Sequence, residues 1–376
     1  MPGRYFKTLC CMLMIACLLA PGGNAFSQEN SPMTPGALFP QLPMKPLTNE
    51  TDRAYLGLAA DLFFSTNDIR ADLLLVEIMN TNCSSCKKQA AIYNELFSLI
   101  EADPAAKSRI KMIAVAVGNS DKEIETFKDR FMVSYPIVGD PQYRIWDATG
   151  RSKTPLSVFV RQGGREKSGV VAGAHIGLQE PAKAVLDELK LLLEKDKAFF
   201  PVQRAEDKKE IGEPAPLFSQ QRIMELMVTA FFKAGVICEG IEAVQLKKGG
   251  LIYTGTGKKN GEPVRLFVKP VYRFLPCDAC HDAQFLICFE SNGKIFDLVP
   301  IQLTKYGNQP FSETDIAQVR GRFVGKFIGD DFVFNPDVDA VSAATITSSV
   351  IYKTFNEGKG LYEELKDAGL LAGTQK

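Results

Sequence analysis

The sequence has no surplus of charge: 44 lysines and arginines stand against 44 aspartates and glutamates in 376 residues. No long basic stripe runs along it, so phosphate tracking has no footing and nucleic acid is excluded as a partner. After the N-terminal apolar run, no segment is apolar enough to cross a membrane. Of nine cysteines, Cys10, Cys11 and Cys17 fall in that run. The rest (Cys83, Cys86, Cys238, Cys277, Cys280 and Cys288) are too few and too unevenly spaced for a disulfide scaffold. There is no internal repeat, and only short connections are biased towards disorder. At this length, with 45 % apolar residues, the chain can bury two ordinary cores.

The N-terminus stands apart from the fold. Arg4 and Lys7 precede "TLCCMLMIACLLA", Pro21-Gly22 break the run, and "GNA" ends at Ala25 as a cleavage site. Residues 1–25 have the layout of a secretory signal peptide, and the run is too short to span a bilayer. A lipoprotein signal on Cys17, after Met14-Ile15-Ala16, is the alternative; it leaves a short apolar core and a poor residue at Met14. The expected location is the periplasm.

Residues 26–51 are rich in proline and polar residues and read as a linker. From 52 to 195, strands and helices alternate. "DLLLVEIM" is a continuous apolar run, as a strand buried on both faces shows. Tyr93, Leu96, Phe97 and Ile100 recur at helical spacing after it. "IKMIAVAVG" is a second strand, followed by a helix that Ser120 and Glu123 open in capping-box spacing. "YPIVGD", "TPLSVFV" and "EKSGVVAGAHIG" are further strands, and a helix through Val185, Leu189 and Leu193 closes the unit. The expected fold is α/β with a mixed sheet. Residues 196–220, charged and ending in prolines, read as a second linker. Residues 221–370 open with a helix, continue through β-rich runs with a hairpin turn at Ser291-Asn292-Gly293-Lys294, and end in a helix. That pattern is α+β.

"NCSSCKK" sets Cys83 and Cys86 one helical turn apart where a buried strand gives way to a helix. Unpaired N–H groups and the helix dipole stabilise a thiolate at Cys83, and Cys86 can reach back to resolve a mixed disulfide. Thr154-Pro155 falls just before a strand, where a cis proline would face the pair and hold a substrate strand by backbone hydrogen bonds. With "CSSC" after the strand, "YPIVGDPQYRIWDATG", and "TPLSVFV" before a glycine-containing hairpin, residues 52–195 resemble the extracytoplasmic redoxin branch of the thioredoxin-like fold. The resemblance implies that Cys83 attacks, Cys86 resolves and Pro155 is cis. Asn82 stands where an aromatic residue commonly precedes the first cysteine, and a peroxidase would need a threonine where this chain has Asn80. A structural disulfide or an inactive fold is the bland alternative.

Near the C-terminus, residues 339–348 read "DAVSAATITS". As plain structure, Ser342 caps a helix whose Ile346, Val350 and Ile351 pack inward, with Gly358 near its end. A helix N-terminus is also where a phosphate binds best. The stretch resembles the motif of FMN-binding domains in sodium-pumping and related respiratory complexes. There a flavin transferase joins FMN to the motif threonine through a phosphoester. Asp339, Ser342, Ala344, Thr345, Thr347 and Ser348 match, and Ala343 replaces the usual glycine. The resemblance implies an FMN-binding domain over 221–370, covalent FMN on Thr345 and a flavin transferase as partner.

"PCDACHD" holds Cys277, Cys280 and His281 in the C-x-x-C-H string that attaches c-type haem. The second histidine of the chain, His175, lies in the other half and reads as a surface or edge residue. Four readings stay open for the pair: a redox-active dithiol beside the flavin, a haem site, a structural disulfide, or a metal site with Cys238 as a third sulfur. Together these features point to an exported electron-transfer protein. It would couple FMN to thiol–disulfide exchange, with a membrane-bound electron donor or acceptor and a protein thiol or disulfide as partners. A flavin–haem carrier and a non-enzymatic binding or assembly module are the alternatives.

Overall fold

The computed structural model describes residues 33–59, 62–162, 169–195 and 213–371. The expected signal peptide and most of the second linker lie outside them.

The first half runs α1 (Glu50–Leu56), β1 (Leu73–Met79), α2 (Ser84–Ala102), α3 (Pro104–Lys107), β2 (Ile110–Val117), α4 (Asp121–Phe131), β3 (Ile137–Asp140), α5 (Arg144–Ala148), β4 (Leu156–Arg161), β5 (Val170–Ile176) and α6 (Ala182–Glu194). Its sheet has the order β3-β2-β1-β4-β5. β1 pairs parallel to β2 and antiparallel to β4, so the sheet is mixed. β1 is buried along its whole length because both faces are covered. Leu73, Leu75 and Met79 face a cluster with Tyr93 and Leu96 of α2 and Leu189 of α6, while Leu74, Val76 and Ile78 face the opposite side. At α4 the expected capping box is complete: Ser120 Oγ accepts from the Glu123 amide, and the Glu123 carboxylate accepts from the Ser120 amide.

Residues 33–51 are more than a tether. The Gly36 amide donates to Val171 O at 2.8 Å and the Val171 amide to Ala37 O at 2.8 Å, which extends the sheet edge beside β5. Phe39, Met44 and Leu47 are buried. The paired segment lies between Pro35 and Pro40, as a sheet edge tolerates, and this composition hides the packing from a linker reading.

The second half runs α7 (Gln220–Lys233), β6 (Val236–Gln245), β7 (Leu251–Lys259), β8 (Glu262–Arg273), β9 (Ala283–Glu290), β10 (Ile295–Gln302), α8 (Glu313–Phe323), α9 (Pro336–Asp339), α10 (Thr345–Asn356) and α11 (Gly358–Asp367). The strands form an antiparallel meander in the order β10-β9-β8-β7-β6. Side chains of β9 alternate between its faces. Leu286 and Cys288 meet Met227 and Phe231 of α7, whereas Phe285, Ile287 and Phe289 meet the side of Phe323 in α8 and Phe355 in α10.

That second apolar cluster does not stop at the domain boundary. It continues through Val350 and Ile351 of α10 to Tyr143, the N-cap of α5, and Trp146 within it, and on to Val76 and Ile78 of β1. The two halves therefore share one core. Polar ties reinforce the seam: the Tyr143 hydroxyl meets Ser349 Oγ at 2.5 Å, and Lys353 pairs with Asp147 at 3.2 Å. Gly118 (φ +71°) makes room for this tyrosine, since a Cβ there would lie 2.2 Å from the Tyr143 hydroxyl.

Candidate functional site: a dithiol faced by a disulfide

Local hydrogen bonds fix the turn between β1 and α2. Asn80 donates to Val117 O at 2.7 Å and accepts from the Asn82 amide at 2.8 Å, while Asn119 accepts from the Thr81 amide at 3.0 Å. The turn delivers Cys83 as the N-cap of α2, where its Sγ accepts from the Cys86 amide at 3.3 Å. Cys83 also lies 3.4 Å from Thr154 O, and the Thr154–Pro155 peptide is cis. Both thiols are free and buried. The Cys86 thiol is the largest influence holding Cys83 below the usual thiol range; burial opposes it, Thr154 and the Cys86 amide add to it, and the Asp278 carboxylate opposes it. Burial, then the hydrogen bond and charge of Cys83, push Cys86 well above that range. The asymmetry leaves Cys83 the more readily ionised thiol and Cys86 the one that holds its proton.

A carboxylate absent from the expected site stands beneath the pair. Glu77 shares strand parity with Leu75 and Met79 and so lies on the face of Cys83 and Cys86. It is 1 % exposed, and burial lifts its carboxyl to about 8 despite a hydrogen bond from the Tyr135 hydroxyl at 3.2 Å. Its Oε1 has no partner among the described residues. That leaves one buried acceptor oxygen beneath the pair, and its charge, when ionised, acts on Cys86. The sequence did carry the signal: one charged residue inside an otherwise apolar seven-residue strand.

The second cysteine pair arrives from the other half. The β8–β9 connection carries Cys277 and Cys280, which form a disulfide with a Cα–Cα distance of 5.3 Å. This loop is seated on the first site. The Thr154 amide donates to Pro276 O at 3.2 Å, and the Thr154 hydroxyl donates to the same oxygen. An Asp278 oxygen lies 3.9 Å from Cys83 Sγ, and the Ser85 hydroxyl donates to the other oxygen. Lys153 holds the base of the loop through Leu275 O at 3.0 Å and Asp282 at 2.9 Å. His281 is exposed, and His175 lies exposed near the end of the edge strand β5. Cys238, on β6, belongs to the cluster on the α7 side of the second sheet, away from the cluster of Cys277 and Cys280. Among the described residues no three His, Cys, Asp or Glu are grouped as a metal site.

The hydroxyl-rich stretch forms the turn into α10. Helix α10 begins at Thr345 with Ala344 as N-cap and no side-chain cap, so the expected capping by Ser342 is corrected: Ser342 is exposed and lies before the cap. The reason is Ala343, whose φ of +59° reverses the chain between Ser342 and the helix. That left-handed conformation favours glycine and is strained for an alanine. Val341 donates to Ser348 Oγ at 3.0 Å, Thr347 donates to Thr304 O at 2.8 Å, and Asp339 pairs with Arg322 at 3.2 Å. These motif side chains brace the turn. Thr345 is half-buried, and among the described residues no group hydrogen-bonds its hydroxyl.

A short ladder, Thr304–Lys305 with Gln309–Pro310, joins the two places. Between its strands, the Tyr306 amide donates to Ala343 O at 2.7 Å, and the Gly307 and Asn308 amides donate to Ala279 O at 3.0 and 3.1 Å. One turn thus holds the entry to α10 on one side and the cysteine loop on the other. A separate cleft of about 490 Å³ opens between the halves, lined by Trp146, Lys248, Lys269, Arg273 and Lys353 among others, with Thr345 outside its lining.

No family model matches the chain. Two relatives do. The thiol-disulfide oxidoreductase ResA of Geobacillus thermodenitrificans (strain NG80-2) is 23 % identical over 184 residues, 49 % of this chain and 94 % of that protein. The ResA of Geobacillus kaustophilus (strain HTA426) is 26 % identical over 101 residues, 27 % of this chain and 55 % of that protein. Among solved structures, StoA from Bacillus subtilis aligns with a TM-score of 0.31 and 18 % identity, covering 41 % of this chain and 98 % of its own. In every case less than half of this chain is covered. With its mixed sheet and its dithiol at the N-terminus of α2, the first half of the chain has a thioredoxin-like fold and is similar to these thiol-disulfide oxidoreductases.

Proposed function

We propose that this is an exported, periplasmic electron-transfer protein that couples FMN, held covalently on Thr345, to thiol–disulfide exchange at Cys83 and Cys86. The observation that carries the reading is the chain of contacts from the α10 entry, through Tyr306–Asn308, to the cysteine loop and Thr154. The residues at Thr345 suit an anionic phosphoester. Among the described residues the hydroxyl has no protein partner, the N-cap offers no side chain to the first-turn amides, and α10 is 12 residues long. When bound, FMN supplies electron exchange singly or in pairs, which links one-electron carriers to a two-electron dithiol.

The chain's own residues do the rest. Cys83 attacks a disulfide, Thr154 and cis Pro155 orient it, Cys86 resolves the mixed disulfide, and Glu77 takes the Cys86 proton. The partners are a flavin transferase, a membrane-bound electron donor or acceptor, and a protein thiol or disulfide. Among the described residues no helix is long and apolar enough to cross a membrane, in keeping with a partner that supplies the membrane element. The flavin–haem alternative needs both sulfurs of Cys277 and Cys280 free for thioether bonds; their union and the burial of Cys277 favour the dithiol reading.

The test is intact mass and absorption of denatured protein, exported from a host with flavin transferase and haem-attachment machinery. A flavin spectrum that survives denaturation and is lost in Thr345→Ala is expected. A haem band, or no chromophore in either protein, overturns the reading.

A further inference from the structure

We propose that the Cys277–Cys280 disulfide is the chain's own exchange partner for Cys83, seated where a substrate strand of the thioredoxin-like site lies. The inference deepens the function proposed above and rests on it for the origin of the electrons.

Three observations converge on Cys277. Its predecessor, Pro276, offers its carbonyl to the Thr154 amide at 3.2 Å, which is the backbone bond expected of a strand held beside the cis proline. Its successor, Asp278, reaches within 3.9 Å of Cys83 Sγ and also binds Ser85. Cys277 therefore sits between two residues that touch the dithiol site. The two redox sites are also sealed on each other: Cys83 is 2 % exposed, Cys86 1 % and Cys277 3 %. In this arrangement an external protein disulfide cannot reach Cys83, whereas the disulfide within the chain is already presented to it.

The exchange balances without an outside reagent. The Cys83 thiolate attacks Cys277 Sγ, the Cys277–Cys280 bond breaks, and Cys280 leaves as a thiolate that takes up a proton. Cys86 then gives its proton to Glu77 in its ionised form and attacks Cys83 Sγ, forming the Cys83–Cys86 disulfide and releasing Cys277 as a thiolate. Two electrons have moved from one pair to the other, the Cys86 proton rests on Glu77, solvent supplies the proton taken up by half-buried Cys280, and the same steps run in reverse. Ala279, between the two cysteines, is held by the turn that also holds Ala343, so this pair stands between Thr345 and Cys83 as a relay.

The test traps the intermediate in full-length protein made without flavin. Cys86→Ser with Cys280→Ser leaves Cys83 and Cys277 to pair when oxidised glutathione is supplied. Peptide mapping of the monomer is expected to find a Cys83–Cys277 bond at least about tenfold more abundant than the Cys83–Cys280 bond formed in Cys86→Ser with Cys277→Ser. Glutathione on Cys83 with no Cys83–Cys277 bond, or that bond found only between two chains, overturns the proposal. Should the double variants fail to fold, Cys86→Ser alone serves. Its native disulfide is expected to yield an alkylatable Cys280 in step with a Cys83–Cys277 bond, and a Cys280 that stays unlabelled overturns the proposal. The trap uses thiols alone, so a positive trap with no flavin on Thr345 sinks only the flavin reading. A negative trap with flavin present sinks only the exchange.

Discussion

Replacing Glu77 by glutamine tests the electrostatic design beneath the dithiol. Burial lifts this carboxyl from 4.5 to about 8. The unfolded chain releases the proton near the lower value, while the folded protein keeps it up to the higher one. Between them the folded state binds the additional proton, so Glu77 makes stability fall as pH rises from 4.5 to about 8, with no further change outside that window. At about 1.4 kcal/mol per pH unit the full span amounts to roughly 5 kcal/mol, an upper figure because buried sites relax and admit water. Urea denaturation of oxidised wild type and Glu77→Gln, in which the Cys83–Cys86 disulfide leaves no thiol there to titrate, isolates the carboxyl. The variant should gain on wild type by about 1 kcal/mol per unit across the window and hold a constant difference above it. Equal pH dependence in the two proteins would refute the reasoning. The same variant should resolve mixed disulfides more slowly, because Cys86 loses its proton acceptor.

Three further outcomes are expected. Ala343→Gly relieves the left-handed strain at φ +59° and should stabilise the protein by about 1 kcal/mol; an unchanged or lower urea midpoint would contradict this. Tyr143→Phe removes the 2.5 Å hydroxyl contact to Ser349 across the seam and should cost about 1 kcal/mol in the same assay, with no loss expected if the halves are not joined there. Asp278→Asn removes a carboxylate that disfavours the Cys83 thiolate, so the pH midpoint of iodoacetamide labelling at Cys83 should move down; a midpoint that stays or rises would assign that effect elsewhere.

The sequence made much of the first half legible because its signals are local. The run through 72–79, the Ser120–Glu123 box and the cysteines after the strand each depend on neighbours a few residues away, and the structure realises them as β1, α4 and the start of α2. The seam between the halves was not legible, since it rests on pairs such as Tyr143 with Ser349 that lie 206 positions apart. Nor was the edge pairing of residues 36–39, where prolines suggest a tether but the amides between them pair. Glu77 illustrates a third kind of miss: strand parity places it under Cys86, but only the folded sheet shows that it is sealed there. At the α10 entry the motif was read from its residues, but the left-handed Ala343 moved the cap from Ser342 to Ala344.

The most direct measurement of the central claim follows electrons from flavin to thiols in one molecule. Protein carrying flavin, with Cys83 and Cys86 first oxidised to a disulfide, is photoreduced anaerobically with EDTA as the electron donor, and free Cys83 and Cys86 are then counted by alkylation and mass, alongside Thr345→Ala under the same illumination. Thiols that appear at Cys83 and Cys86 in the wild type and not in the variant are predicted. Equal thiol formation in both, or reduced flavin with Cys83 and Cys86 still oxidised, would contradict the account.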